Sequence, residues 1–153
     1  MKLYLLRHGK ADWPGWDKAD DERPLTKEGK REMRRIAQFF AELKLAPSVI
    51  LSSPLPRAWQ TAEIAAAALG LEVREQATLR PGFSPAKFRA LIKHAKGADL
   101  MLVGHEPDFS GLIRALTGGM VKLGKGGLAR IDLDDAGEAG RLIWLIPPKV
   151  ARK

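Results

Sequence analysis

The apolar positions along the chain fall into short solid runs separated by longer stretches of helical period. Leu3-Tyr4-Leu5-Leu6 is apolar throughout, too short to span a membrane and suited to a strand buried on both faces. Val49-Ile50-Leu51 and Leu100-Met101-Leu102-Val103 read the same way. Between them, Ile36, Phe39, Phe40 and Leu43 recur at helical spacing, and Thr26 is placed to cap a helix running to about Leu43. A second helix is predicted from Pro56 to Leu69, stopped by Gly70. A weak third strand is expected over Leu71 to Arg74, a loop over Thr78 to Pro85 and a third helix over Ala86 to Ala95. Pro107 is expected to start a helix that ends at Leu116. Leu128 to Leu133 and Leu142 to Ile146 alternate around a glycine-bearing turn and predict an antiparallel hairpin at a sheet edge. Strands alternating with helices predict an α/β fold: a three-layer sandwich whose mostly parallel sheet is covered on both faces.

Two long connections interrupt this order. Residues 10–24 are rich in proline, glycine and acidic residues, and they carry Trp13 and Trp16. A loop of that length in a compact domain is often functional. The tryptophans suit either a pocket wall or an anchor for the loop. Gly118, Gly119, Gly124, Gly126 and Gly127 mark a flexible connection before the hairpin. The basic tail from Lys149 is expected to fray.

The 153 residues predict one domain, spanning residues 1–153, with no internal repeat or linker. The chain has no cysteine, which removes disulfides and thiolate chemistry, and three histidines without cysteine make a structural zinc site improbable. No signal peptide or membrane span is expected, so the chain is expected to be cytoplasmic. The net charge of +8, from 26 Lys and Arg against 18 Asp and Glu, suits an anionic partner. The dense patch at Lys27, Lys30, Arg31, Arg34 and Arg35 reads as a solvated helix face. Without a clustered aromatic and basic surface, a nucleic-acid module is disfavoured.

Three strand ends carry complementary chemistry. The first strand leaves its apolar run at Arg7-His8-Gly9, where the glycine permits a sharp turn or a close approach to a ligand. The second leads through Ser52-Ser53-Pro54 to Arg57 in the first turn of a helix, and the strand ending at Val103 runs into Gly104-His105. In a parallel sheet these ends share one edge, the edge where α/β proteins collect ligands. Two arginines, two histidines and helix N-termini form a pocket for a phosphoryl dianion. One neutral histidine can attack phosphorus and carry the group covalently, its pKa lowered by the neighbouring guanidiniums. The other, as a cation, is expected to donate to the equatorial oxygens. Spacing alone does not choose between them. His94 lies among basic residues in a helix and reads as a surface histidine.

The order and spacing of these motifs resemble the histidine phosphatase superfamily, with its phosphoglycerate mutase-like fold. The resemblance is carried by Leu5-Leu6-Arg7-His8-Gly9-Lys10, Arg23-Pro24-Leu25-Thr26 with Gly29, Ser52-Ser53-Pro54 with Arg57-Ala58 and Gln60-Thr61-Ala62, and Val103-Gly104-His105-Glu106-Pro107. The short chain and the early Trp13 resemble the SixA-type phosphohistidine phosphatases in particular. The resemblance implies that His8 accepts the phosphoryl group, that Arg7, Arg57 and His105 hold it, and that no metal or other cofactor is required.

One departure bears on substrate. Phosphoglycerate mutases and many acid phosphatases provide a carboxylic acid for the leaving oxygen after the third strand. Here that region reads Thr78-Leu79-Arg80-Pro81-Gly82-Phe83, without a carboxylate. Glu75, Glu106 and Asp108 are candidate substitutes, although Glu106-Pro107-Asp108 also suits a helix cap. A missing acid fits the labile P–N bond of phosphohistidine in a protein. The alternatives are hydrolysis of a small phosphorylated metabolite or nucleotide on the same machinery, and a non-catalytic phosphate-recognition module. The oligomeric state is not legible.

Overall fold

The computed structural model describes residues 1–151. Six strands form one sheet: β1 (Lys2–Arg7), β2 (Val49–Ser52), β3 (Val73–Glu75), β4 (Leu100–Gly104), β5 (Leu128–Leu133) and β6 (Gly140–Ile146). Their spatial order is β3-β2-β4-β1-β5-β6. β3, β2, β4 and β1 are parallel, and β5 and β6 run antiparallel at the far side. Four helices cover the sheet: α1 (Lys27–Glu42), α2 (Pro56–Leu69), α3 (Pro85–Ile92) and α4 (Asp108–Thr117).

The side-chain alternation of β1 explains the layering. Leu3 and Leu5 face a cluster built with Phe88 and Leu91 of α3 and with Phe109, Leu112 and Ile113 of α4. Tyr4 and Leu6 face the opposite cluster, built with Met33, Ile36 and Phe40 of α1 and with Ala58, Ala62 and Ala65 of α2. The alanine row on α2 leaves room for the large side chains of α1 on the same face. The result is the three-layer sandwich expected from the strand pattern, with its antiparallel pair at the sheet edge.

The boundaries shift where local hydrogen bonds compete. Leu71 is not in β3, because its N–H caps α2 by donating to Ala66 O after Gly70 turns left-handed at φ 67°. α3 stops at Ile92, short of Ala95, and the chain turns back through Lys96 and Gly97, both at positive φ. Pro107 caps α4 rather than starting it, after a cis Glu106–Pro107 bond. The tail is also more ordered than expected. Pro148–Ala151 form a turn of 3-10 helix, with Ala151 against the α1 and α2 cluster, while Arg152 and Lys153 lie outside the described residues. Just beyond α1, Leu43 at the cap is exposed and Leu45 is buried instead. Lys27, Arg31, Arg34 and Arg35 are exposed, which fits a solvated face.

Gly29 fixes where α1 begins. Thr26 caps the helix, its Oγ1 accepting from Gly29 N at 2.9 Å, and Thr26 N donates to Lys10 O at 3.0 Å. A Cβ on Gly29 would lie 2.2 Å from Lys10 O, a backbone atom of the long first loop. Gly29→Ala should therefore destabilise the fold by roughly 1–3 kcal/mol, as overpacking of a tight contact does. Chemical unfolding of the variant measures this, and wild-type stability would mean that the loop yields freely.

Candidate active site

The carboxyl ends of β1, β2 and β4 lie side by side, so Arg7, His8, Ser53 and His105 meet at one edge, joined by Arg57 from the first turn of α2. His8 N donates to Gly104 O at 3.1 Å and Ser53 N to Val103 O at 3.0 Å, which extends the parallel ladders into the site. The imidazoles of His8 and His105 have ring centroids 5.4 Å apart. His94 is remote from this group, in the turn after α3.

His8 is held through its own neighbour. Its Nδ1 lies 2.8 Å from Gly9 O, a carbonyl that can only accept, so Nδ1 carries the proton and Nε2 keeps a free lone pair. Gly9 N in turn donates to Thr61 Oγ1 at 3.0 Å, and the Thr61 hydroxyl donates to Arg57 O at 2.7 Å. One buried threonine thus ties the backbone beside His8 to the helix that carries Arg57. Gly9 itself serves close packing rather than a left-handed turn. A Cβ there would meet Met33 Cγ at 2.6 Å.

The two guanidiniums are anchored by backbone carbonyls. Arg7 NH1 donates to Leu123 O at 3.0 Å, on the glycine-rich connection, and Gly126 N returns to Arg7 O and His8 O, each at 3.1 Å. Arg57 NH1 donates to Asp20 O at 3.1 Å, and its NH2 lies 3.9 Å from Asp20 Oδ2. Three buried side-chain polar atoms lack a partner among the described residues: Arg7 Nε, Arg57 Nε and His105 Nδ1. All three belong to this one group of side chains, and unmet donors so concentrated are what an oxyanion would satisfy.

Burial dominates the electrostatics. It pushes His8 down to about 3, with smaller contributions from His105, Arg57 and Arg7, against the Gly9 hydrogen bond that favours the cation. It pushes His105 down to about 4, reinforced by Arg57 and Arg7 and opposed by the Asp21 carboxylate. Burial thus opposes the cation expected of the second histidine, and only an anionic ligand beside the ring would favour that charge. The guanidiniums act in the expected direction, but loss of hydration outweighs them.

A stability prediction follows from these shifts. An unfolded chain titrates both histidines near 6.5, while the folded values lie near 3 and 4. Above pH 6.5 neither state carries the charge, and the shifts have no effect. As pH falls from about 6.5 towards 4, the unfolded chain takes up protons that the folded pocket refuses, so stability falls. The melting temperature should drop over that range, with a shallower slope in His8→Ala and in His105→Ala. Equal slopes in all three proteins would place the proton uptake elsewhere.

The sequence singled out neither Asp20 nor Asp21 as site residues. They lie on a short turn of 3-10 helix, Asp20–Glu22, and are exposed. The turn is pinned by Arg23, whose Nε donates to Asp20 Oδ1 at 2.8 Å. Carboxylates therefore border the guanidinium and imidazole pocket. Only the loop following Gly9, acidic and long, hinted that side chains might return there. The tryptophans of that loop take the anchoring role. Trp13 Nε1 donates to Pro24 O and Trp16 Nε1 to Ala19 O, anchoring the loop. With Asp12, Lys18, Asp20 and Arg23 they also line an open hollow of about 740 Å³, which does not include Arg7, His8, Arg57 or His105.

Two of the three candidate acids named from sequence are engaged in structure. Glu106 accepts from Ser110 N at 2.7 Å and from the Ser110 hydroxyl. Asp108 Oδ2 accepts from Gly82 N at 2.9 Å and Phe83 N at 3.2 Å. Glu75 is exposed at the end of the edge strand β3. Among the described residues, no group of three or more His, Asp or Glu side chains is placed to hold a metal ion, and no helix is long and apolar enough to cross a membrane.

Two imidazoles and two guanidiniums at the carboxyl edge of an α/β sheet form a site suited to a phosphoryl group. The chain belongs to the histidine phosphatase superfamily (branch 1), whose family model matches residues 3–81. It is 38% identical to an uncharacterized protein of Picosynechococcus sp., over 96% of this chain and 100% of that one. A 2,3-bisphosphoglycerate-dependent phosphoglycerate mutase of Corynebacterium kroppenstedtii is 40% identical over 42% of this chain, a match that spans 27% of the mutase. Among solved structures, the protein histidine phosphatase SixA complexed with tungstate superposes with a TM-score of 0.88 at 26% identity, over 99% of this chain and 100% of that one. Family and fold together support a phosphatase.

Proposed function

We propose that the protein hydrolyses phosphohistidine in a protein substrate, with His8 accepting the phosphoryl group at Nε2. The P–N bond of the substrate breaks as the His8 Nε2–P bond forms, and water then attacks phosphorus to release phosphate and free His8. Arg7, Arg57 and His105 hold the phosphoryl oxygens through the donors that lack protein partners. The similarity to a protein histidine phosphatase that binds tungstate, a tetrahedral oxyanion, supports this reading.

The observation that carries the substrate class is the state of the carboxylates. Glu106 and Asp108 are committed to the cap of α4 and to the loop before α3. Asp20 is exposed and ion-paired with Arg23. Among the described residues, no carboxyl side chain is buried beside His8, where a general acid for an alkoxide would serve. A phosphohistidine ring protonated on its second nitrogen leaves as neutral imidazole, a far weaker base than an alkoxide, and that N–H can be offered to an ionised carboxylate at the mouth. Acidic side chains there also disfavour carboxylated metabolites, by like-charge repulsion.

A substrate panel tests this. Turnover should rank a phosphohistidine protein first, aryl phosphates next and alkyl phosphates far behind. Asp20→Asn, Asp21→Asn, Glu106→Gln and Asp108→Asn should each keep most of the phosphohistidine activity. Fast hydrolysis of a phosphoglycerate that is lost in one of these variants would identify a general acid, and would make the protein a metabolite phosphatase instead. Binding of phosphate without turnover of any substrate would leave only a recognition module.

A further inference from the structure

Ser53 is fully buried, and its hydroxyl has two neighbours among the described residues. Leu55 N donates to Ser53 Oγ at 3.2 Å, and His105 Nε2 lies 2.9 Å from the same oxygen. The Leu55 contact uses a lone pair, so the single O–H of Ser53 still needs an acceptor. His105 Nε2 is the only acceptor within reach in the described residues. If Nε2 carried the ring proton, Ser53 Oγ would accept from both Leu55 N and Nε2, and its own O–H would be left without an acceptor among the described residues. On the other side of the ring, Nδ1 is buried without any partner, next to guanidiniums that are themselves short of an acceptor.

We propose that Ser53 is a positioning residue that fixes the tautomer of His105: its hydroxyl donates to Nε2, so that the neutral ring presents Nδ1–H to the phosphoryl oxygens. The proposal rests on the phosphoryl-pocket reading above and deepens it. A neutral ring with the opposite tautomer would aim a lone pair at an incoming oxyanion and repel it. Ser53 thus lets His105 act as a donor without a positive charge, which its buried setting disfavours. Ser53 plays for His105 the part that Gly9 O plays for His8, with the opposite polarity. A carbonyl acceptor at His8 Nδ1 leaves the far nitrogen bare for attack, whereas a hydroxyl donor at His105 Nε2 leaves the far nitrogen protonated for binding.

Nitrogen-15 NMR of the full chain reads the tautomer directly, with the three imidazoles assigned through His8→Ala, His94→Ala and His105→Ala. In the wild type at neutral pH, His105 should show a protonated Nδ1 and a bare, hydrogen-bonded Nε2. In Ser53→Ala that signature should give way to a mixture or to Nε2–H. The kcat for an aryl phosphate should fall about 10- to 100-fold, the range of one hydrogen bond to a charged group. KM should change less, because the bond strengthens as charge develops. Ser53→Thr, which keeps the hydroxyl, should restore both the spectrum and kcat. An Nε2–H or an imidazolium signature for His105 in the wild type overturns the proposal, even if Ser53→Ala does not fold. So does a Ser53→Ala protein with the wild-type tautomer and rate. An enzyme that turns over nothing, yet shows Nδ1–H on His105 with its loss in Ser53→Ala, would sink the phosphatase reading and leave the role of Ser53 standing.

Discussion

Replacing His8 with alanine should lower turnover by about 10⁴-fold or more, the loss seen when the nucleophile of a covalent mechanism is removed. No neighbour can take its place. His105 is the nearest other imidazole, but its Nε2 faces Ser53 and its ring centroid lies 5.4 Å away. Arg7 and Arg57 cannot act as nucleophiles at all. The fold should persist, since His8 contributes a buried polar ring rather than core packing, and its anchor on Gly9 O is local. Rapid mixing with phosphorus-labelled substrate, followed by alkaline quench, should trap label on His8 in the wild type and none in His8→Ala. Label on another residue, or turnover close to wild type in the variant, would overturn the assignment.

The second large effect is expected at Arg57. Arg57→Ala should cost about 10²- to 10³-fold in kcat/KM, the scale for losing a fixed donor to a transition-state oxyanion. Arg57 is only 5% exposed, and its burial and the nearby Arg23 both disfavour its charge. A charge so disfavoured adds little to the fold, so the variant should melt within a few degrees of wild type. Arg57→Lys should not rescue activity, because an ammonium cannot make the planar pair of bonds. Full rescue by lysine would show that charge alone suffices. A collapse of stability in Arg57→Ala would make the residue structural.

The parts of this molecule legible in sequence are those settled by short-range pattern. Four apolar residues at Leu3 to Leu6 announce a two-faced strand wherever the rest of the chain goes, and Thr26 with Gly29 announces a cap. Arg7, His8, Arg57 and His105 could be grouped because parallel strands end on one edge, a rule that needs no coordinates. Asp20, Asp21 and Thr61 were not assigned to the site, because each reaches it by a route that pattern does not encode. The two aspartates arrive when a long loop folds back over α2, and Thr61 lies a helical turn beyond Arg57, facing inward to Gly9. Ser53 was visible as a strand breaker, but its use depends on which nitrogen of His105 it meets. The dehydration of His105, which opposes its charge, was not legible for a related reason: formal charges can be counted from sequence, whereas dehydration depends on the finished packing.

The place of β1 has a consequence for synthesis. β1 lies between β4 and β5, so its partners, residues 100–104 and 128–132, are both made after it. Until those are made, a run of four apolar residues has both hydrogen-bonding edges bare, and neither histidine of the site has its neighbour. Such a segment is prone to pairing with another nascent chain. The residues matched by the family model, 3–81, therefore cannot assemble the pocket by themselves. The pocket is complete only once β4 has paired with β1 and brought His105 beside His8.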